Sequence, residues 1–376
     1  IKVKIAEVKA IPLEIPFSHG GNAAGWTGSA WTSLATTLVK VSTDTGLVGY
    51  GEAFSYNCQR PVQAAIEDMI APIVVGREIT ELTEWMQDLQ QKLHLFGRYG
   101  IAMFAISGLD IALWDIKVKA EGVSLCTLLG GPEKPTVSAY ASLFRHGEPQ
   151  TVADQCRAAV GEGYGWIKLH ETEVSEVSAA REALGRAVPI MVDTNCPWLP
   201  DEAREKAAAL KPYDLLWLEE PIFPPEDFSA LAKLQVGVGI PIAAGENACT
   251  VFEFEKMFAA GAVTYAQPSV TKVGGITELL KVIDAAELAG VAVMPHSPYF
   301  GPGLLATRRS SPGSPGPAPG LLGAAKACPS SAPEPRLSRH GYASGLGPGG
   351  RSPPHRSPRW PMAKLAAPPG GGGGRH

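Results

Sequence analysis

Pro189-Ile-Met-Val-Asp193, Leu215-Leu-Trp-Leu-Glu219 and Pro241-Ile-Ala-Ala-Gly-Glu246 are three short apolar runs, each closed by an acid. The acids fall 26 and 27 positions apart, which matches one strand-plus-helix unit of a parallel barrel. Each carboxylate is therefore expected at the C-terminal end of its own strand, the face on which barrel enzymes place their chemistry. A single acid in such a place is ordinarily a solvated loop residue or part of a helix start. Three at one period, each after an apolar strand, point instead to convergence. Hard carboxylate oxygens converging there suit Mg²⁺, which takes few carboxylates and completes its shell with water or substrate oxygens.

The pattern extends on both sides of this stretch. Strands are expected at 136–141, 165–169, 188–192, 214–218, 240–244, 263–267 and 291–295. Amphipathic segments lie between them, among them 151–162, 174–186, 201–210 and 274–289. Seven strands alternating with helices argue for a (β/α) barrel over an open dinucleotide-binding sheet, and no GxGxxG follows the first strand. Residues 1–52 read as strands, with Thr43-Asp-Thr-Gly46 as a turn. Helical periodicity follows at 61–75, 80–96 and 99–121, so the first domain is an α+β cap. Between its strands, the glycine-rich loop 18–31 is long enough to be a lid. The expected division is a cap at 1–130, a barrel at 131–306 and a tail at 307–376.

That tail departs in composition. It holds 14 Pro and 14 Gly and no Val, Ile or Phe, so the eighth barrel strand is expected to be missing or replaced. Either a disordered tail or an out-of-frame translation of a GC-rich gene accounts for it, and resequencing around the codon for Thr307 separates the two.

The formal net charge of −4 divides unevenly. The tail holds ten Lys/Arg against the single acid Glu334, leaving the body strongly acidic. This argues against a nucleic-acid partner. Six cysteines form no CxxC pair, and no apolar run approaches a membrane span. No charged-then-apolar leader follows Ile1. The expectation is a cytoplasmic homo-oligomer with reduced thiols and neither membrane nor nucleic acid as partner.

Several motifs carry a family resemblance. Ser107-Gly-Leu-Asp-Ile-Ala-Leu-Trp-Asp-Ile-Lys117, Leu128-Leu-Gly-Gly131, Val192-Asp-Thr-Asn195, Trp217-Leu-Glu-Glu-Pro221, Gly245-Glu-Asn247 and Lys272-Val-Gly-Gly275 resemble the enolase superfamily. The likeness is nearest to its mandelate racemase/muconate lactonizing enzyme branch and covers roughly residues 1–306. It implies a modified (β/α)₇β TIM-type barrel with an N-terminal α+β capping domain and one Mg²⁺ held by Asp193, Glu219 and Glu246. It also implies a shared step, removal of the proton α to a substrate carboxylate to give an enediolate. In Leu-Glu-Glu-Pro the first Glu matches the ligand, which leaves Glu220 behind it.

The proton-transfer groups depart from the family pattern. The second barrel strand ends Trp166-Ile-Lys-Leu-His170, and alternation puts Lys168 and His170 on one face. The family usually has Lys-x-Lys here with the second Lys as base, so His170 takes the base position. An imidazole titrates near neutrality without a large shift; the alternative is that His170 caps the following helix. Lys168 is then an electrostatic neighbour that contacts the substrate carboxylate.

Opposite, His296 ends the seventh strand, but the Asp that pairs with it in racemase-like members is replaced by Ser269. A hydroxyl orients an imidazole without stabilising its charged form, so His296 is expected to act as a general acid or a weaker base. Asn195, Asn247 and Tyr140 are candidates for contacts with the ligands or the substrate, and Lys272 reads as structural. The family's eighth-strand Glu has no counterpart.

A Mg²⁺-dependent lyase or isomerase acting on a small hydroxy-carboxylate follows, with acid-sugar dehydration favoured. Racemisation, epimerisation and cycloisomerisation are the alternatives within the branch. A truncated, non-catalytic homologue is the alternative outside it.

Overall fold

The structure is a computed structural model that describes residues 3–16, 32–130, 139–299, 301–310 and 322–325. The expected lid at 18–31 and most of the tail lie outside the described residues.

A four-stranded antiparallel sheet opens the chain. It consists of β1 (Val3–Pro16), β2 (Ser33–Thr43), β3 (Val48–Phe54) and β4 (Glu78–Ile79), in the order β3-β2-β1-β4. The helix Gly100–Glu121 lies against β3 at very short range. A Cβ at Gly51 would stand 1.8 Å from the Gly108 carbonyl oxygen, so only glycine lets strand and helix approach this closely.

The same helix docks onto the barrel. Ser107, Asp110 and Trp114 recur at three and four positions and share one face. The Ser107 hydroxyl oxygen accepts from the Gly274 amide at 2.9 Å, Asp110 accepts from the Thr277 amide at 3.0 Å, and the Trp114 indole donates to Thr277 Oγ1 at 2.9 Å. Asp110 therefore satisfies donors at the start of the helix Gly275–Ala289. Gly275 is pinned from the other side, since a Cβ there would meet Asp110 at 2.2 Å. The glycine pair after Lys272 and the long cap helix thus form one joint.

Seven parallel strands follow, as the sequence implied: β5 (Ala139–Ser142), β6 (Ile167–Leu169), β7 (Ile190–Asp193), β8 (Leu215–Glu219), β9 (Ile242–Ala244), β10 (Tyr265–Ala266) and β11 (Ala292–Val293). The eighth position is replaced rather than empty. A short strand from within the tail, β12 (Leu322–Ala325), pairs in parallel with β5, in register Leu322 to Ala139. The sheet order is β11-β10-β9-β8-β7-β6-β5-β12, so β11 and β12 are its two ends among the described residues. Of the two expectations for this position, missing or replaced, the second holds. A ladder needs backbone N–H and C=O groups and no internal proline, and Leu322-Gly-Ala-Ala325 meets that condition. The helix Pro302–Ser310 runs past residue 307, and the buried Thr307 hydroxyl donates to the Gly303 carbonyl at 2.7 Å.

Inward positions of the sheet form layers. Tyr140, Met191, Trp217, Ala243, Tyr265 and Met294 pack with Trp166 as an apolar plug. Within it, Tyr140 meets Trp217 edge-on at 6.0 Å and Trp217 meets Tyr265 at 5.1 Å.

Candidate active site

Two residues beyond each member of the plug, the strand alternation brings the next inward layer. It reads Ser142, Lys168, Asp193, Glu219, Gly245, Gln267 and His296. An apolar layer thus supports a polar one at the C-terminal end of the strands. Gly245 occupies its place in the layer with φ of 132°, and a Cβ there would meet Phe254 at 2.7 Å. The chain can therefore turn at once, and Glu246 follows in place of a side chain at 245. Behind the turn, Glu220 Oε1 accepts from the Gly245 amide at 2.9 Å. Burial, then the charge of Glu246, pushes the Glu220 carboxyl up to about 7.

Asp193, Glu219 and Glu246 each offer a carboxylate oxygen within 4.8 Å of the others. The first two are buried and Glu246 is nearly so. The donor set fits a hard divalent cation: three carboxylates, no sulfur, and convergence at the mouth of the barrel. Lys168 is joined to two of them, its ammonium donating to Asp193 Oδ2 at 2.8 Å and to Glu219 Oε1 at 2.7 Å. The Trp217 indole donates to the other Glu219 oxygen at 2.9 Å.

Burial opposes ionisation of Asp193, but Lys168 and then His170 outweigh it and hold the carboxyl well below its ordinary range. For Glu219, burial and the Asp193 charge win over Lys168 and push it up to about 8. The pair therefore divides its proton affinity unequally, with Asp193 the more firmly ionised member.

The two histidines stand on either side. His170 Nδ1 lies 2.5 Å from the Leu143 carbonyl oxygen and Nε2 lies 3.2 Å from Asp193 Oδ2. A carbonyl only accepts, so Nδ1 carries a proton, and Nε2 is the nitrogen turned toward the Asp193 carboxylate. His296 Nε2 lies 2.7 Å from Glu246 Oε2, and Nδ1 lies 3.3 Å from Ser269 Oγ. Burial opposes ionisation of Glu246, yet His296 and Lys272 hold it at about 2, whereas burial moves His296 below its ordinary value despite Glu246. These directions compete for the charge of the pair. Geometry supplies what both share, a proton on Nε2 facing a carboxylate.

The remaining sequence candidates separate. Tyr140 belongs to the plug, with its ring centroid 5.9 Å from the Lys168 ammonium, so it supports the cluster from below. Asn195 touches Asp193 through its backbone amide, at 3.1 Å from Oδ1, with φ of 57°. Asn247 is exposed and its amide reaches Cys196 Sγ at 3.8 Å. Ser269 is buried against His296 as expected. Lys272 has its ammonium 4.9 Å from the Phe54 ring centroid, which ties the barrel to the cap.

Sequence reading missed Tyr299, whose phenol hydrogen-bonds the Ser269 hydroxyl. It also missed Glu52, which accepts from the Gly303 amide at 2.9 Å. Neither belongs to a periodic pattern with the residues it meets.

Comparison with known proteins agrees with this geometry. Residues 28–130 match the N-terminal domain model of mandelate racemase/muconate lactonizing enzymes, and residues 151–315 match the enolase C-terminal domain-like model. The chain belongs to the mandelate racemase/muconate lactonizing enzyme family. An arabinonate dehydratase of Saccharolobus solfataricus is 34% identical over 280 residues, spanning 72% of this chain and 74% of the relative. A 3,6-anhydro-alpha-L-galactonate cycloisomerase of Streptomyces coelicolor is 33% identical over 281 residues, 72% of this chain and 76% of the relative. Among solved structures, an enolase from Bradyrhizobium in complex with magnesium and mandelic acid superposes with a TM-score of 0.74 at 29% identity. That match covers 86% of this chain and 88% of the other. Within this family the present chain keeps three acids at the strand ends and sets a histidine on each side of them.

Proposed function

We propose that this chain is a Mg²⁺-dependent dehydratase of a small sugar acid or related hydroxy-carboxylate. The observation that carries the reading is the placement of His170 and His296 on opposite sides of the acidic cluster, each with Nε2 facing it and a different group at Nδ1. Asp193, Glu219 and Glu246 would hold the ion, which when bound supplies positive charge at the substrate carboxylate as its α-proton leaves. Lys168 adds a second fixed cation beside that carboxylate.

His170 takes the α-proton at Nε2, and Asp193 beside it stabilises the imidazolium that forms. His296 gives a proton from Nε2 to the departing hydroxyl on the other face. The electron pair of the broken C–H bond becomes the new double bond as the C–O bond breaks, and water leaves. Racemisation or epimerisation needs a second base, and the neutral Ser269 behind His296 disfavours it. Cycloisomerisation, the activity named for one relative, remains the second reading.

The division into cap, barrel and tail belongs to the same proposal, supported by family matches that end at 130 and begin at 151. So does assembly as a cytoplasmic homo-oligomer. The exposed side chains Leu95, Phe96 and Phe252 support self-association, and light scattering reads it. No described helix is long and apolar enough to cross a membrane.

The test is a screen of acid sugars with Mg²⁺, following 2-keto acid formation and exchange of the α-proton with solvent deuterium. Dehydration of at least one acid sugar is expected. Exchange without dehydration favours an isomerase, and binding without exchange favours a non-catalytic protein.

A further inference from the structure

Three lysine or arginine side chains are buried among the described residues, and two of them have partners. Lys168 lies between Asp193 and Glu219, at 2.8 and 2.7 Å. Arg181 donates to the carbonyls of Gly185, Val188, Tyr213 and Asp214. Lys272 differs. Only 7% of its surface is exposed, yet among the described residues no carboxylate or other acceptor stands within hydrogen-bond reach of its ammonium. What the ammonium meets is the face of Phe54, 4.9 Å from the ring centroid. A cation–π contact offsets only part of the cost of burying an unpaired ammonium.

The backbone around Lys272 is held from several sides, and this sets where the charge stands. Its amide donates to the Ser269 carbonyl at 2.9 Å, and the Ser269 hydroxyl lies beside His296. Its carbonyl accepts from Cys249 Sγ at 3.6 Å, on the same loop as Glu246. The Phe54 amide donates to the neighbouring Thr271 carbonyl at 3.3 Å. The turn after β10 is thus fixed by the loop after β9 and by the last residue of β3, at the end of the barrel where the acids converge.

We propose that Lys272 binds a second carboxylate of the substrate, remote from the one that reacts, and that the preferred substrates are therefore sugar diacids. The reacting carboxylate already has the acidic metal site and Lys168. A hydroxyl at the far end of a sugar monoacid brings no charge to Lys272, whereas a carboxylate supplies the counter-ion that the fold withholds. One ammonium matches a carboxylate better than a phosphate, which carries nearly two charges and calls for more donors. The inference deepens the dehydratase reading and rests on it for the way the substrate lies.

Steady-state kinetics with Mg²⁺ tests it, on sugar diacids, on monoacids of the same configuration and on the terminally phosphorylated monoacids. In the wild type, kcat/KM for a diacid should exceed that for its monoacid by at least about fiftyfold. K272M should bring this ratio to within about threefold of unity, chiefly by raising KM for the diacid, and K272R should keep most of it. Any effect of Lys272 on the metal site or on folding acts on both acids alike, so the ratio isolates the contact. A wild type that treats diacid and monoacid alike overturns the proposal, and this comparison stands even if K272M does not fold. A K272M ratio equal to that of the wild type overturns it too, as does a phosphorylated acid preferred to the diacid. Should no acid turn over, the dehydratase reading fails, and calorimetric titration with the same ligands decides this one. Diacid binding that weakens in K272M supports it, and absent or unchanged diacid binding overturns it.

Discussion

His170 and His296 face the same three carboxylates, yet what lies behind each differs in kind. His170 leans on a backbone carbonyl and presents Nε2 to Asp193, which Lys168 keeps ionised. His296 leans on the hydroxyl of Ser269, which Tyr299 hydrogen-bonds in turn, and presents Nε2 to Glu246. Each ring turns Nε2 to a carboxylate, but the group at Nδ1 is a backbone carbonyl on one side and a side-chain hydroxyl on the other. A carbonyl only accepts, whereas a hydroxyl can donate or accept, so the two partners constrain the two rings differently.

The largest expected effect removes the group that both sides share. Glu219→Gln should lower kcat/KM by at least about a thousandfold and weaken Mg²⁺ binding, since it deletes a carboxylate from the cluster. Its fold should persist, because Gln has nearly the same volume and Lys168 keeps Asp193 as partner. Unchanged metal affinity in calorimetry would contradict the ligand assignment.

Lys168→Met separates the two sides by stability. In the wild type the folded Asp193 carboxyl is held low, so the stability it contributes is present above the ordinary Asp range and is lost as pH falls. Without the lysine, Asp193 and Glu219 are buried together with no cation between them. Stability at neutral pH should drop by about 3–5 kcal/mol. The sign of the dependence should also reverse, with protonation of the pair on acidification now restoring stability. Ser269→Ala, on the neutral side, should leave this pH profile as in the wild type. Thermal melts of metal-free protein across pH read both.

A smaller effect sharpens the contrast itself. Ser269→Asp places charge behind His296 and should promote it toward a base. Dehydration is expected to slow about tenfold while α-proton exchange from the second face rises. Deuterium incorporation at the α-carbon of recovered substrate measures it, and an unchanged ratio of exchange to dehydration would mean that the partner does not set the role.

The acids were legible because each ends an apolar run and their period is that of a barrel unit. His170 was legible from Lys168 by alternation, and His296 from the resemblance. The joint between Ser107, Asp110, Trp114 and Thr277 appeared only as two separate motifs, because its contacts span up to 167 positions and no local pattern links them. Tyr299 was hidden for a related reason: after β11 the chain leaves regular structure, so no period connects residue 299 to Ser269 on another strand end. In the tail, composition averaged over 70 residues concealed four consecutive positions without proline, which suffice for β12.

The most direct test of the divided ring compares α-proton exchange with dehydration in H170N and H296Q, using deuterated water, Mg²⁺ and a reactive acid sugar. H170N should lose both activities by roughly a hundredfold or more, whereas H296Q should keep exchange near the wild-type rate and lose dehydration alone. Persistent exchange in H170N together with its loss in H296Q would contradict the assignment of base and acid.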